Sequence, residues 1–153
     1  MQQSFRMVGV CTALLIGGLF ALAAADSTFI VLPSAKIDQK LLKKAEKIAS
    51  DVLSGWREGK FQHLSDDFSL EMIAGLPPDD QEKAYESLRM LFGHFVSLRF
   101  AEALISPILP DAVVFRFRGT FSGTEDHPEI RVVITKDGKI TGLWVKHWTD
   151  EIQ

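Results

Sequence analysis

Cysteine is almost absent from this 153-residue chain, whose one cysteine, Cys11, lies in an apolar N-terminal run. The rest of the chain therefore has no disulfide, no thiolate nucleophile and no cysteine-based metal site. Four histidines are scattered along the chain: His63, His94, His127 and His147. No two of them have the spacing of metal ligands on one helix face, and no P-loop, dinucleotide-binding glycine motif or Ser-His-Asp order is present. We therefore predict no metal and no cofactor.

An excess of positive charge is also missing, because the formal net charge is −3. A mildly acidic chain has no overall attraction to nucleic acid, and we predict no nucleic-acid partner. The length favours a single domain that buries an adequate core without disulfides.

The N-terminus has the pattern of a targeting segment. Arg6 precedes an apolar run from Met7 to Ala25, and Ala23-Ala24-Ala25 fits a small-residue cleavage site. We predict a signal peptide over residues 1–25, an exported domain over residues 26–153, and a periplasmic or extracellular location. The alternative is an uncleaved anchor, since the run is long enough to span a membrane. Only that alternative places the protein at a membrane.

Helices are predicted in the first half of the domain. Apolar residues at steps of three and four predict a first helix over Ala35–Glu58, with Ser34 as its N-cap. A short second helix is predicted around Phe61–Asp67. A third begins at Asp79, where Glu82 three residues later resembles a capping box. The predicted apolar stripes are Ile37, Leu41, Ala45, Ile48, Val52 and Trp56 on the first helix, and Ala84, Leu88, Leu91 and Phe95 on the third.

Strands are predicted in the second half. Alternation of apolar with polar residues, rich in β-branched and aromatic types, marks strands with one buried face. The predicted strands are Ser97–Ile105, Ala112–Phe121, Glu129–Thr135 and Lys139–Thr149. On the second of these, Val113, Phe115, Phe117 and Phe121 share one face, and Val114, Arg116, Arg118 and Thr120 share the other.

The turn at Asp137-Gly138 leaves two registers open for the last hairpin. A two-residue loop pairs Ile130 with Val145 and Val132 with Leu143. A three-residue loop with a glycine bulge pairs the same two residues with Trp144 and Gly142. We favour the second register, because it gathers Ile140, Trp144 and Trp148 on the face that carries the phenylalanines. A slip of one residue exchanges the faces.

Three helices before a curved antiparallel sheet resemble the cone-shaped nuclear-transport-factor-2-like (cystatin-like) α+β fold, and most closely its small exported bacterial domains of unknown function. The residues that carry the resemblance are Trp56–Phe61, Asp67 with Phe68, Leu91–Gly93, Val113–Phe121 and Asp137–Leu143. The superfamily contains enzymes and binding domains, so that the fold does not decide the function.

The resemblance implies a pocket on the concave face of the sheet. Its predicted lining is apolar, without a convergent acid and base: Trp56, Tyr85, Phe100, Phe117 and Trp144. Our first hypothesis is a non-enzymatic exported binding or accessory domain, which takes a small lipophilic ligand in this pocket or a protein partner on the sheet.

The alternative is a small enzyme of the isomerase or lyase type. Asp67 or Glu102 would be its general base, and Tyr85 or His147 its proton donor. For Asp66 and Asp67 we prefer solvation of a helix end to a catalytic role, and Glu102 is expected to pair with Arg99 or Arg116 across the sheet.

The outward face of the sheet predicts a homodimer. It mixes arginine with apolar residues, as interfaces do: Val114, Arg116, Arg118, Val133 and, in the favoured register, Leu143 and Val145. The alternative is a monomer in which the apolar stretch Phe29–Leu32 covers this face. The arginines, with Arg131, otherwise form a solvated or cross-strand-paired stripe.

Overall fold

The computed structural model describes residues 29–150. The predicted signal peptide and its cleavage site after Ala25 lie outside this range. The elements are β1 (Ile30–Val31), a 3-10 turn (Ser34–Lys36), α1 (Gln39–Arg57), α2 (Leu70–Gly75), α3 (Pro78–Phe92), β2 (Phe95–Ser106), β3 (Leu109–Phe121), β4 (Glu129–Thr135) and β5 (Ile140–Lys146). The strands form one antiparallel sheet in the order β1-β2-β3-β4-β5, which confirms the α+β class. Within residues 29–150 no helix has the length and apolarity to cross a bilayer.

The first helix begins later than predicted. Asp38 is the N-cap of α1, since its Oδ1 accepts hydrogen bonds from the backbone N–H groups of Lys40 (2.8 Å) and Leu41 (3.1 Å). Ser34 lies in the preceding 3-10 turn. The buried residues of α1 are Leu42, Ala45, Ala49, Leu53 and Trp56. The predicted stripe was therefore slightly rotated, and Leu41, Ile48 and Val52 flank the core as partly buried residues.

The predicted second helix over Phe61–Asp67 is wrong. Most of this segment is irregular, and the helix α2 follows it, with Ser69 as its N-cap. The reason is a tertiary contact, because the backbone N–H of Ile140 donates to the carbonyl of Asp67 at 2.8 Å. Ser69 N–H returns a bond of 2.9 Å to the carbonyl of Ile140. These two hydrogen bonds join the end of the segment to β5, so that its backbone groups are not available for a helix.

The predicted capping box of the third helix is also wrong. Pro77 is the N-cap of α3, no side chain caps it, and Pro78 occupies the first helical position. Proline suits that position because it has no N–H group to satisfy. Asp79 and Asp80 lie in the first turn, where they complement the helix dipole. The helix ends at Gly93, whose φ of 83° favours glycine.

The helices pack on one face of the sheet, which we call the core face. Phe115, Phe117 and Ile130 are fully buried there. In the register of β3 with β4, Phe115 pairs with Val132 and Phe117 with Ile130, and the phenylalanines share one face of β3 as predicted. The predicted bounds of β4 agree with the structure, and β2 and β3 extend slightly beyond theirs.

The favoured register of the last hairpin is wrong. Ile130 pairs with Val145, and Val132 pairs with Leu143, as the two-residue loop requires. The register then shifts, because Val133 pairs with Gly142 and Ile134 with Ile140. Thr141 is thus the extra residue of a β-bulge. The bulge keeps Ile140 on the core face with Leu143 and Val145.

The opposite face of the sheet, which we call the outer face, carries a second small cluster. Its buried members are Leu104, Ala112, Val114 and Val133, and Phe29 and Trp144 pack against them. Trp144 therefore lies on the outer face, and its assignment to the face of the phenylalanines was wrong.

Candidate functional site

A groove runs along α1, and we call it the α1 groove. It lies between α1 and the segment of residues 58–68, and its volume is about 520 Å³. This size is within the range of ligand pockets. Its partly buried apolar residues include Ile48 and Val52 from α1 and Leu64 from the segment. They reach the groove because the apolar face of α1 is wider than the stripe that packs on the sheet.

Gln81 of α3 holds the base of the α1 groove together. Its Oε1 accepts a hydrogen bond from the indole N–H of Trp56 at 2.9 Å. Its Nε2 donates to the carbonyls of Gln62 at 2.6 Å and Leu76 at 3.0 Å. Gln81 is only 2% exposed, and both the oxygen and the nitrogen of its side-chain amide have hydrogen-bond partners within the chain, as buried polar groups require. One side chain thus links α1, the segment 58–68, and the end of α2.

The walls of the groove carry charges of both signs, joined in pairs. Nζ of Lys44 lies 2.8 Å from Oδ1 of Asp67, and this salt bridge connects α1 to the segment of residues 58–68. The other pairs are Lys47 with Asp51 and Lys60 with Glu58. The hydrogen bond from Lys44 lowers the pKa of Asp67, and that from Lys60 lowers the pKa of Glu58. A lowered pKa makes each carboxylate a weaker base, whereas a general base at neutral pH needs a raised pKa.

The rim of the groove also offers backbone hydrogen-bonding groups. His63 and Leu64 line the groove in an irregular stretch of chain. Within the described part of the chain their backbone N–H and carbonyl groups make no hydrogen bond to protein atoms. They are available to a ligand that itself carries amide groups.

The predicted pocket residues are not gathered around one cavity. Trp56, Tyr85 and Phe117 are buried in the main core, and Phe100 packs against it. Trp144 lies on the outer face. Of the five, Trp56 alone lines the α1 groove.

The predicted acid and base groups lie in separate places. Asp67 lies in the groove, with its side chain 51% exposed. Glu102 forms a salt bridge with Arg116, as predicted. The hydroxyl of Tyr85 is 2.5 Å from Nδ1 of His94, and burial raises the pKa of the Tyr85 hydroxyl. His147 is exposed and contacts the ring of Phe92. The geometry gives the enzyme hypothesis no shared cavity, and no three metal-binding side chains cluster within residues 29–150.

The surface of the predicted homodimer is largely occupied by the chain itself. Val114 and Val133 are covered by Phe29 and Trp144, as the monomer alternative expects for Phe29. Leu143 and Val145, which the favoured register placed outward, lie in the main core instead. Arg116 is not part of a solvated stripe, because it is 0% exposed. The homodimer stays a prediction.

Comparison of the chain with protein-family models, curated proteins and solved structures found no significant match.

Proposed function

We propose that this protein is an exported, non-catalytic binding domain whose α1 groove holds a peptide segment of a partner protein. The observation that carries the proposal is the composition of the groove. It combines an apolar floor, walls of balanced charge, and unpaired backbone groups at one rim. A peptide has a complementary group for each of these features.

The balanced charge argues against a strongly charged ligand. Three lysines face three carboxylates around the groove, so that its net charge is near zero. The partly buried Ile48, Val52 and Leu64 favour a ligand that contributes at least one apolar side chain. A segment with a central apolar residue and flanking polar residues satisfies both conditions.

The lipophilic-ligand version of the hypothesis has less support. It places the ligand against the core face of the sheet, where Phe115 and Phe117 are fully buried by packing within the chain. A lipophile would have to displace these side chains from a filled core, which costs packing energy. The open space lies in the groove instead.

We infer a nuclear-transport-factor-2-like cone as the finer fold. Three helices precede the four long strands, and they pack on one face of the sheet, which is the order that the resemblance implies. The proposed location is periplasmic or extracellular, because of the apolar run Met7–Ala25 and its alanine-rich end.

The test is selection of peptides from a random displayed library on the immobilised protein, followed by calorimetric titration of the recovered sequences. We expect peptides with a shared apolar position and micromolar dissociation constants. Asp51 lines the groove, and Asp51→Trp should fill it and weaken binding by about tenfold or more.

The matched control is Ser50→Trp, on the neighbouring residue of α1, which does not line the groove. Circular dichroism verifies that both variants are folded, and the control should bind as the wild type does. Recovery of no peptide above background, or equal binding to both variants, contradicts the proposal.

A further inference from the structure

Four basic side chains lie together on the outer face of the sheet, and we call them the basic cluster: Arg116, Arg118, Arg131 and Lys146. Arg116 is fully buried. It donates from Nη1 to Glu102, and from Nη2 to Glu129 at 2.8 Å and to the carbonyl of Thr149 at 2.5 Å. Glu129, also fully buried, accepts a second bond of 2.6 Å from Nε of Arg131.

Salt bridges engage only part of the basic cluster. Within residues 29–150 only Glu102 and Glu129 form salt bridges with the cluster. Lys146 pairs with Glu129 in the strand register but makes no salt bridge within that range, and neither does Arg118. Asp150 accepts a hydrogen bond from the indole of Trp148 and forms no salt bridge with the cluster in the described chain. Two of the four cations thus have no salt bridge within the described residues.

Two N–H-bearing atoms of the cluster are buried without a hydrogen-bond partner in the described chain: Nε of Arg116 and Nη2 of Arg131. Arginine forms charge-assisted bonds wherever an acceptor is within reach, so unpaired guanidinium nitrogens on two neighbouring arginines are unusual. Both guanidinium groups contact Glu129, which places the unpaired atoms in one region.

Lys146 shows the same shortage of negative charge. Burial lowers its pKa, and the neighbouring charges of Arg131 and Arg116 lower it further, against the opposing effect of Glu129. A lysine in this position is more stable when a second anion is close.

An aromatic side chain covers the cluster. The chain after β5 turns back across the outer face, and Trp148 stacks on two arginines of β3. Its ring centroid is 4.0 Å from Cζ of Arg116 and 3.8 Å from Cζ of Arg118. Trp148 and Lys146 are half-buried, so that solvent reaches the cluster at its edge.

We propose that the basic cluster is a binding site for a phosphate group, which Lys146, Arg131 and Arg118 hold beside Trp148. Planar guanidinium groups match the oxygen geometry of phosphate, and a lysine adds a compact positive charge. The phosphate supplies an anionic partner for Arg118 and Lys146, which have no salt bridge in the described chain, and acceptor oxygens for the unpaired Nη2 of Arg131. This site lies on the other face of the sheet from α1, so that the proposal stands apart from the peptide groove.

The test is titration of the protein with inorganic phosphate at constant ionic strength, with chloride as the reference anion. We expect a saturable change in tryptophan emission and a rise in the urea midpoint that chloride does not produce. Trp148→Phe should remove the emission change but keep the rise in midpoint. A titration with glycerol phosphate separates the two sources of the group: binding of both compounds indicates a phosphomonoester ligand, and binding of inorganic phosphate alone indicates the free ion.

Lys146→Met separates phosphate binding from folding. It keeps the apolar stem and removes an uncompensated charge, so that the variant should be as stable as the wild type without phosphate. It should bind phosphate about tenfold more weakly or worse. Lys136→Met, at an exposed position in the β4–β5 turn, is the matched control and should respond as the wild type does. Equal effects of phosphate and chloride on the wild type, or an undiminished response in Lys146→Met, would overturn the proposal.

Discussion

The indole N–H of Trp56 donates a hydrogen bond of 2.9 Å to Gln81, and both side chains are almost completely buried. The two residues come from α1 and α3, and the bond fixes the distance between these helices at the base of the α1 groove. The amide of Gln81 also fixes Gln62, which lines the same groove. The shape of the groove therefore depends on one buried side chain.

Gln81→Leu should destabilise the protein by about 2–4 kcal/mol, because it leaves the buried indole N–H of Trp56 and the buried carbonyl of Leu76 without partners. Urea denaturation measures this loss. Gln62→Leu is the control, since it removes an amide that is exposed and makes no side-chain hydrogen bond. Similar losses in the two variants would show that Gln81 has no special role.

Glu129→Gln should cost about 3–5 kcal/mol, because it removes the buried carboxylate that Arg116 and Arg131 share. The glutamine keeps the shape of the side chain, so that the loss reports on charge rather than packing. Glu125→Gln removes an exposed carboxylate from the preceding loop and should leave the urea midpoint unchanged. A loss below about 1 kcal/mol would mean that the buried network is not a stabilising unit.

Acid should weaken the same network. Burial acts against the charged form of Glu129, but the hydrogen bonds from Arg116 and Arg131 outweigh it and hold its pKa below the ordinary value. The stabilisation is therefore fully present above the unfolded pKa of about 4.3, and it is lost as the pH falls through the lower pKa of the folded state. Urea midpoints of the wild type and Glu129→Gln should converge below about pH 4, whereas parallel curves would refute this explanation.

Gly142→Ala tests the register of the last hairpin. A Cβ at this position would lie 1.9 Å from the ring of Trp144, so that the indole must move from the second cluster. We expect a loss of about 1–3 kcal/mol and a change in tryptophan emission. Gly55→Ala is the same substitution in α1, where the nearest atom is 3.6 Å away, and it should be neutral or slightly stabilising. A neutral Gly142→Ala would contradict the packing of Trp144.

The order of elements could be predicted from the sequence because it depends on local periodicity. Alternation identified β4 with correct bounds, and the spacing of apolar residues identified α1 and α3. Phe61–Asp67 was misassigned because its backbone bonds to β5, far along the chain, decide its conformation. The predicted register of the last hairpin was also wrong. The bulge at Thr141 reverses the faces of the residues that follow it in β5, and no local pattern indicates the bulge.

The candidate sites were less accessible to sequence reasoning. The α1 groove depends on the contact of Gln81 with Trp56, which are 25 positions apart, and no local pattern indicates that contact. One feature of the sequence does point to the groove. Ile48 and Val52 make the apolar stripe of α1 wider than the set of residues that packs on the sheet. The burial of Arg116 could not be predicted, because Trp148 covers it only after the chain returns across the sheet.

Backbone NMR of the isotope-labelled protein shows whether a peptide binds in the α1 groove. Titration with a peptide selected on the wild type should shift the amide signals of His63, Leu64 and the groove face of α1. The amides of β3 and β4 should remain in place, and hydrogen exchange at His63 and Leu64 should slow as these groups become paired. Shifts confined to the sheet, with unchanged exchange at His63 and Leu64, would mean that the peptide binds elsewhere than in the α1 groove.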